Sequence, residues 1–496
     1  MKRVLLINPR ITSNARFPLA VMHLAAALKG RYETSILDGN LDHQLPETAA
    51  AAVREGGYVA VGLSVMGGPQ LPAALAVSRA IRAVAPGLPI VWGGYFPTLC
   101  TDAALNSDCV DYALRGQGEQ GLLELLDALR GQGDVKDVAG LSWRRNDHGE
   151  NEIVHNADRA FSTAPLQLAV TYDEVDDPQR YLGPTYLGRR TTGYQAALGC
   201  RYHCSFCGVA AMFRGKTALP EGQRLERDLR GLQARFGADS VQFYDHNFFD
   251  REVDMQPLLE VLARLQMPWW CYARADALLG LSPASWQLVR RSRLRMAYIG
   301  AESPNDSLLR DMRKGTRSDQ TLAVVETCRA NGVVPELSFM LAPPQDPEGE
   351  TERTFDFIRQ VKRLHPAAEI MLHIHTPLPP RRLGDGRWTP RDPALPRGFV
   401  FPDSADAWAQ KEWMDYWCHK DAPWLTSALR QRVHDFRTVL GCRFPTLTDI
   451  RAPGWQKAAL RAASSWRYRF ARYDRPRELR WLQRAVRLWD PQLNAL

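Results

Sequence analysis

Short apolar runs alternate with amphipathic stretches from the start of the chain. Val4–Asn8 reads as a buried strand, Ala20–Leu28 as a helix and Thr34–Leu37 as a second strand. Tyr58–Val65, Pro89–Trp92 and Val110–Leu114 supply three more strands, with helical patterns over Leu71–Val84 and Gln120–Leu129. This β–α repetition predicts an α/β, doubly wound Rossmann-like domain over residues 1–145. Such a sheet takes its ligand beyond the carboxyl ends of its strands. Residues 146–190 are polar and irregular and read as a linker. Asn146-Asp147-His148-Gly149 and Asp176-Asp177-Pro178 are turn signals, and Leu141–Trp143 is able to pair with Ile153–His155 as a small hairpin.

A second alternation occupies residues 191–385. Its strands are Tyr194–Gly199, Ser240–Tyr244, Trp269–Ala273, Met296–Ala301, Glu336–Leu341 and Glu369–His375. Amphipathic helices such as Glu221–Phe236, Asp254–Leu265 and Thr351–Leu364 lie between them. Six such units predict a partial (β/α)6 TIM-like barrel, whose chemistry belongs at the carboxyl ends of the strands. Residues 386–496 form a mostly helical, Arg/Trp-rich region. It opens with a Pro-rich loop and shows helical periods over Trp408–Trp417 and Trp424–Leu440. The aromatics of those helices suit either a substrate cover or a packed core.

Composition changes this picture in three places. No apolar run approaches the ~18 residues of a membrane span, and the N-terminal apolar run is too short for a signal peptide. The nine cysteines are unevenly spaced, which excludes a disulfide framework and points to a reducing, cytoplasmic setting. The formal charge of +8 is carried by residues 451–496, with ten Arg and one Lys against Asp474, Glu478 and Asp490. A basic, aromatic tail suits a membrane surface or an acidic partner, with a solvated outer face as the plain reading of such a charge run. Nucleic acid is disfavoured because no recognised nucleic-acid fold accompanies it.

The candidate chemistry centres on Cys200, Cys204 and Cys207, in a C-x3-C-x2-C spacing. Three thiolates from one loop suit three irons of a 4Fe–4S cluster, whose full ligation normally takes four cysteines. Zinc is the alternative, but it favours a closed set of four ligands. His203 lies between two of the cysteines and no second C-x2-C pair exists. The other six cysteines read as small buried hydrophobes. In the first domain, Gly-rich and polar segments follow the strands: Asn8-Pro9-Arg10, Ser64–Pro69, Gly93–Thr98 and Arg115–Glu119. No G-x-G-x-x-G opens the first helix and there is no P-loop, which disfavours a nicotinamide or flavin dinucleotide. In the barrel, Asp245-His246-Asn247, Arg274-Ala275-Asp276, Glu302-Ser303 and Thr376-Pro377 each follow or end a strand.

With Phe206 just before its last cysteine, the motif resembles that of the radical S-adenosylmethionine (SAM) superfamily. Ser64 and Gly93-Gly94 are similar to motifs of the cobalamin-binding domain that precedes the barrel in one class of these enzymes. The resemblance implies a 4Fe–4S cluster on Cys200, Cys204 and Cys207, with one iron open to SAM. Phe206, Tyr244, Asp245, Asn247, Arg274 and Glu302 become candidate SAM-binding residues. For Arg274 and Asp276 a structural ion pair is an equal alternative. Pro9, Arg10, Ser64, Met66, Gly67, Gly68, Gly93, Gly94, Tyr95, Gly116 and Glu119 become candidates for cobalamin. Asp38-Gly39-Asn40-Leu41-Asp42-His43 fails the D-x-H-x-x-G pattern that supplies a cobalt-ligating histidine in the methionine-synthase type. No protein His ligand is therefore expected, and His43 reads as an exposed loop residue. His246, a possible proton carrier near pH 7, and His373 and His375, which alternate along one strand, are catalytic or substrate-lining candidates.

The implied activity is methylation of an unactivated carbon of a small-molecule substrate, a large or lipophilic one being compatible with the aromatic tail, with an external flavodoxin- or ferredoxin-type electron donor. The alternatives are a cobalamin-dependent cyclase or rearrangement enzyme without methyl transfer, of the anaerobic magnesium-protoporphyrin cyclase kind, and a non-catalytic cofactor sensor.

Overall fold

Val4 to Ile7 are fully buried in succession, as expected of a parallel strand covered by helices on both faces. They form β1 (Arg3–Asn8), an inner strand of a seven-stranded sheet. Its other strands are β2 (Glu33–Asp38), β3 (Tyr58–Ser64), β4 (Ile90–Gly93), β5 (Tyr112–Leu114), β6 (Leu141–Asp147) and β7 (Glu150–His155). The order is β2-β1-β3-β4-β5-β6-β7, parallel from β2 through β5. On one face Val4, Leu6, Ala60 and Val91 pack with Val21, Ala25, Leu122 and Leu125 of helices Leu19–Leu28 and Glu119–Ala128. The strand order reverses between β1 and β3, and a ligand crevice opens at such a switch point.

This structure, a computed structural model, describes residues 2–10, 16–147, 150–448 and 452–486. The expected turn at His148-Gly149 and the end of the basic tail, with Trp489, lie outside the described residues. Two compact units are present. The first joins Met1–Leu182, Gln195–Leu219 and Pro377–Cys418; the second joins Gly183–Tyr194, Pro220–Thr376 and His419–Leu496.

The hairpin expected at the linker is larger than its pattern suggested. β6 pairs antiparallel with β5, and β7 with β6, so the hairpin continues the first sheet. Within the same unit, Trp408 is 1% exposed and packs among Phe96, Phe401, Trp413 and Trp417. These aromatics form a core, the second of the two readings their sequence allowed.

The second unit contains six parallel strands in the order β15-β14-β13-β12-β11-β8. They are β8 (Thr191–Tyr194), β11 (Ser240–Phe243), β12 (Trp269–Ala273), β13 (Leu294–Glu302), β14 (Val334–Leu341) and β15 (Glu369–Ile374). The expected first strand, Tyr194–Gly199, is corrected. Ladder pairing ends at Tyr194, and β9 (Leu198–Gly199) instead pairs antiparallel with β10 (Thr217–Ala218). Gly199 has φ +74°, a left-handed conformation that turns the chain there. Strand alternation divides the paired tryptophans of β12. Trp269 joins Phe243, Phe248 and Phe249, while Trp270 joins Tyr272 and Tyr298 across the sheet.

Near the start of β14, Glu336 lies opposite Glu369 of β15 and accepts a hydrogen bond from the Trp270 indole at 2.9 Å. Burial, reinforced by the Glu369 charge and opposed by the Trp270 bond, pushes its carboxyl up to about 7. A carboxyl raised in the folded state stabilises below its ordinary value of 4.5, and that contribution is lost as pH rises through 7. Glu336→Gln keeps an acceptor for Trp270. Urea unfolding is expected to give unchanged stability at pH 4.5 and a gain of up to ~3 kcal/mol above pH 7.

Candidate active site

The cysteine motif lies in the first unit. Cys200 follows Gly199 directly, and helix Gly208–Phe213 starts immediately after Cys207. The Cys207 amide donates to the Cys204 carbonyl at 3.2 Å and closes the loop. The three motif cysteines are half-buried, whereas the other six are buried, and none of the nine is in a disulfide. A Cβ on Gly208 would come within 3.1 Å of Leu99 and 3.2 Å of Tyr95. The loop therefore packs on helix Tyr95–Leu99, which follows β4. Burial, then the charges of Cys207 and Cys200, push the Tyr95 hydroxyl well up, so it stays neutral. His203 folds over Gly215, where any Cβ would collide with its ring. Among the described residues no three His, Cys, Asp or Glu side chains gather closely enough to hold one metal ion. A cube takes one thiolate per iron, and three half-buried thiols of one loop suit three of its irons. The half-exposed trio fits the cluster.

The strand ends β1 and β3 flank the crevice of the first sheet. Gln70, 1% exposed, ties their loops together. Its side-chain amide donates to the Pro9 carbonyl at 2.9 Å, and its oxygen accepts the Met66 amide at 2.5 Å. Thr98 does the same further along: its hydroxyl donates to the Gly94 carbonyl at 2.6 Å and accepts the Gly116 amide at 3.0 Å. Gly94 has φ +96°, and a Cβ there would lie 2.9 Å from the Val65 carbonyl oxygen and 3.4 Å from the Ser64 hydroxyl. At Gly93 a Cβ would make only ordinary contacts at 3.9 Å. The chain does not itself require glycine there, whereas a flat ligand on the strand end would. Gly67 and Gly68 are occupied differently: Trp417 covers the first, and the Cys418 sulfur lies 2.6 Å from where a Cβ of the second would be. Met66 is 44% exposed. One Glu119 carboxylate oxygen is buried without a hydrogen-bond partner, and burial raises its carboxyl. Asp38 is held by Asn8 at 2.8 Å and Tyr181 at 2.9 Å, and His43 is exposed.

The remaining candidates lie in the second unit. Tyr244 packs on Gly193 and donates to Gln242 at 3.1 Å. Asp245 and Asn247 are buried, and Asn247 Oδ1 has no hydrogen-bond partner. Arg274 does not fit the role of a free carboxylate fork. Its Nε and Nη2 are both 3.0 Å from the Asp276 carboxylate, and Nη2 also donates to the Lys314 carbonyl at 2.7 Å. The ion-pair alternative holds here. Glu302, at φ +60°, sits on a bulge of β13, and its Oε1 is 2.7 Å from Lys314 Nζ with both side chains buried. Any Cβ on Gly300 would collide with this carboxylate. Glu302 Oε2 is buried with no hydrogen-bond partner.

Burial pushes the His246 imidazole down to about 4. Burial does the same to His373 and His419. The Tyr298 hydroxyl is 3.2 Å from His373 Nε2, and the His373 and His419 rings are 6.2 Å apart. His375 lies just past β15 and is 2% exposed. Gln70, Lys314, Tyr298 and His419 were missed in the sequence because they act through partners 12 or more residues away in the chain. The polar type of Lys314, in a Lys-Gly-Thr segment between two helices, was the one available signal.

A B12-binding domain model matches residues 14–126, and the Radical SAM superfamily model matches residues 194–358. The uncharacterized methyltransferase PH0819 of Pyrococcus horikoshii is 22% identical over 375 residues, 73% of this chain and 78% of that protein. The anaerobic magnesium-protoporphyrin IX monomethyl ester cyclase of Synechocystis is 22% identical over 383 residues, 73% and 72% of the two chains. Among solved structures, the radical SAM methyltransferase TsrM of Kitasatospora setae, with tryptophan substrate and the SAM analogue aza-SAM bound, superposes with a TM-score of 0.61 at 19% identity. That match covers 76% of this chain and 74% of TsrM. The chain thus matches a B12-binding model followed by a radical SAM model, the domain order that the sequence resemblance implied.

Lys314→Met leaves the Glu302 carboxylate buried without its cation. A loss of ~3 kcal/mol in denaturant unfolding is expected, since breaking one side of a buried pair costs about 3–5 kcal/mol. Lys314→Met with Glu302→Gln is expected to recover most of it, a coupling that separate sites would not show.

Proposed function

We propose that this protein methylates an unactivated carbon of a small, weakly polar and flat or lipophilic molecule. The observation that carries this reading is the packing of the cysteine loop on helix Tyr95–Leu99, beside the loops of the first sheet. Cys200, Cys204 and Cys207 would hold the cluster. Gly93, Gly94, Met66, Gly116 and Glu119 would line cobalamin, and Glu302, Asp245, Asn247 and Tyr244 would hold SAM. When bound, the cluster and SAM supply radical hydrogen abstraction and cobalamin supplies the methyl group. An external one-electron donor completes the requirement.

The chain's own work is binding and exclusion. Glu302 Oε2 would accept hydrogen bonds from SAM, with Lys314 fixing the carboxylate through Oε1. Gln70 and Thr98 hold four loops of the first sheet in register, those after β1, β3, β4 and β5. Tyr272 and Tyr298 pack together and Tyr298 reaches His373; this group, its imidazole held neutral by burial, would offer ring faces and uncharged hydrogen-bonding groups to a substrate. A lining of this kind favours an uncharged acceptor over an anion. Positioning of reactants and removal of water are the terms such a site supplies.

The cyclase relative carries the second reading, in which no methyl is transferred. Anaerobic incubation with methyl-labelled SAM separates the two: label in the product supports methyl transfer, and 5′-deoxyadenosine formed with unlabelled product sinks it. Replacing Cys200, Cys204 and Cys207 with Ala is expected to abolish SAM cleavage while cobalamin binding persists. Glu302→Gln is expected to weaken SAM binding about tenfold, the loss of a single charge-assisted hydrogen bond.

A further inference from the structure

The C-terminal helices of the second unit present a surface that this chemistry does not use. Helix Gly454–Arg469 buries Leu460 and Ser464, and its Tyr468 ring meets Phe444 at 5.1 Å. Trp455, Ala459, Ala462, Trp466 and Phe470 recur at helical spacing and form a stripe on the opposite side. All five are exposed, with Trp455 at 71%, Trp466 at 52% and Phe470 at 64%. Trp481 of helix Arg477–Val486 adds another ring at 69%. Large aromatics grouped in water mark an interaction surface.

The charge around the stripe is one-sided. Arg467 pairs with Glu478, and Arg480 with Asp435, which fastens the helices to each other and to helix Ser427–Arg443. Arg461, Arg469, Arg472, Arg475, Arg477 and Arg484 are exposed, and none forms an ion pair with a carboxylate among the described residues. Residues 451–496 carry the whole formal +8 of the chain. Among the described residues no helix is long and apolar enough to cross a membrane.

We propose that this stripe seats the enzyme on the surface of an anionic phospholipid bilayer, with Trp455, Trp466 and Phe470 in the headgroup layer and the arginines against lipid phosphates. A narrow apolar line along the outside of a helix, flanked by arginines, is the form of an interfacial helix. Single-stranded nucleic acid instead asks for aromatic rings within a basic groove. The stripe is an outer helix face and forms no groove.

Flotation of the full-length protein with vesicles tests this. Recovery is expected with mixed phosphatidylglycerol–phosphatidylcholine vesicles and not with phosphatidylcholine alone, and added salt should weaken it. Trp455→Ser, Trp466→Ser and Phe470→Ser together are expected to cut binding by about tenfold or more with the thermal midpoint unchanged. Arg461→Glu, Arg469→Glu and Arg472→Glu together are expected to abolish it. No recovery with anionic vesicles, or equal recovery of the aromatic variant, overturns the proposal. So does binding of single-stranded RNA, or self-association through the stripe, in place of vesicle binding.

Discussion

The contact on which the arrangement depends is Gly208 against Tyr95 and Leu99. A Cβ directly after Cys207 would come within 3.2 Å of both residues, so the loop or the helix that follows β4 would have to give by a few tenths of an ångström. The absence of that Cβ fastens the metal-binding loop to the domain built for the corrin. The loop consequently belongs to the first compact unit, although β8, which leads into it, belongs to the second. Tyr95 serves this junction twice. Its ring is the packing surface, and its hydroxyl, raised by burial and by the charges of Cys207 and Cys200, adds no negative charge of its own.

The barrel solves a different problem, which is how to keep charged residues at a dry strand rim without leaving them exposed to one another. Arg274 is consumed by Asp276 and Lys314 by Glu302. The histidines are kept neutral by burial alone. A buried ion pair is weak evidence for stability, since an apolar pair of similar volume often does as well. Its retention at Glu302 makes sense if the second carboxylate oxygen is needed. The backbone points the same way: a non-glycine residue at φ +60° on a strand bulge costs about 1–3 kcal/mol, and such strain concentrates at functional sites.

Local signals made much of this legible in the sequence. The two β–α alternations fixed both sheets because strand and helix periods differ and parallel strands need a helix between them. The spacing of Cys200, Cys204 and Cys207 pointed to a cluster because it counts ligands within one loop. What stayed hidden was long-range. Gln70 reaches back to Pro9, and Lys314 crosses from a loop to β13, so neither announces its partner locally. The end of β8 was misplaced because Leu198-Gly199 is apolar enough to read as a continued strand, while the turn depends on a glycine torsion and on pairing with Thr217. Arg274 was ambiguous for a related reason: Arg-x-Asp serves equally for a ligand or for itself.

The tryptophans show most clearly where pattern alone stops. Trp408, Trp413 and Trp417 and the pair Trp455 and Trp466 all sit in helices with similar spacing, and a hydropathy reading treats them alike. They differ in what lies on the other side of each helix. Helix Gly454–Arg469 already has a buried face in Leu460 and Ser464, so its aromatic face is a surplus that the core does not require. Trp408 has no such alternative, because its ring and those of Phe96 and Phe401 complete one core. Whether an amphipathic helix carries one apolar face or two is the readable distinction. A second apolar face ringed by unpaired arginines is difficult to retain for folding alone, since burying nothing it contributes almost nothing to stability.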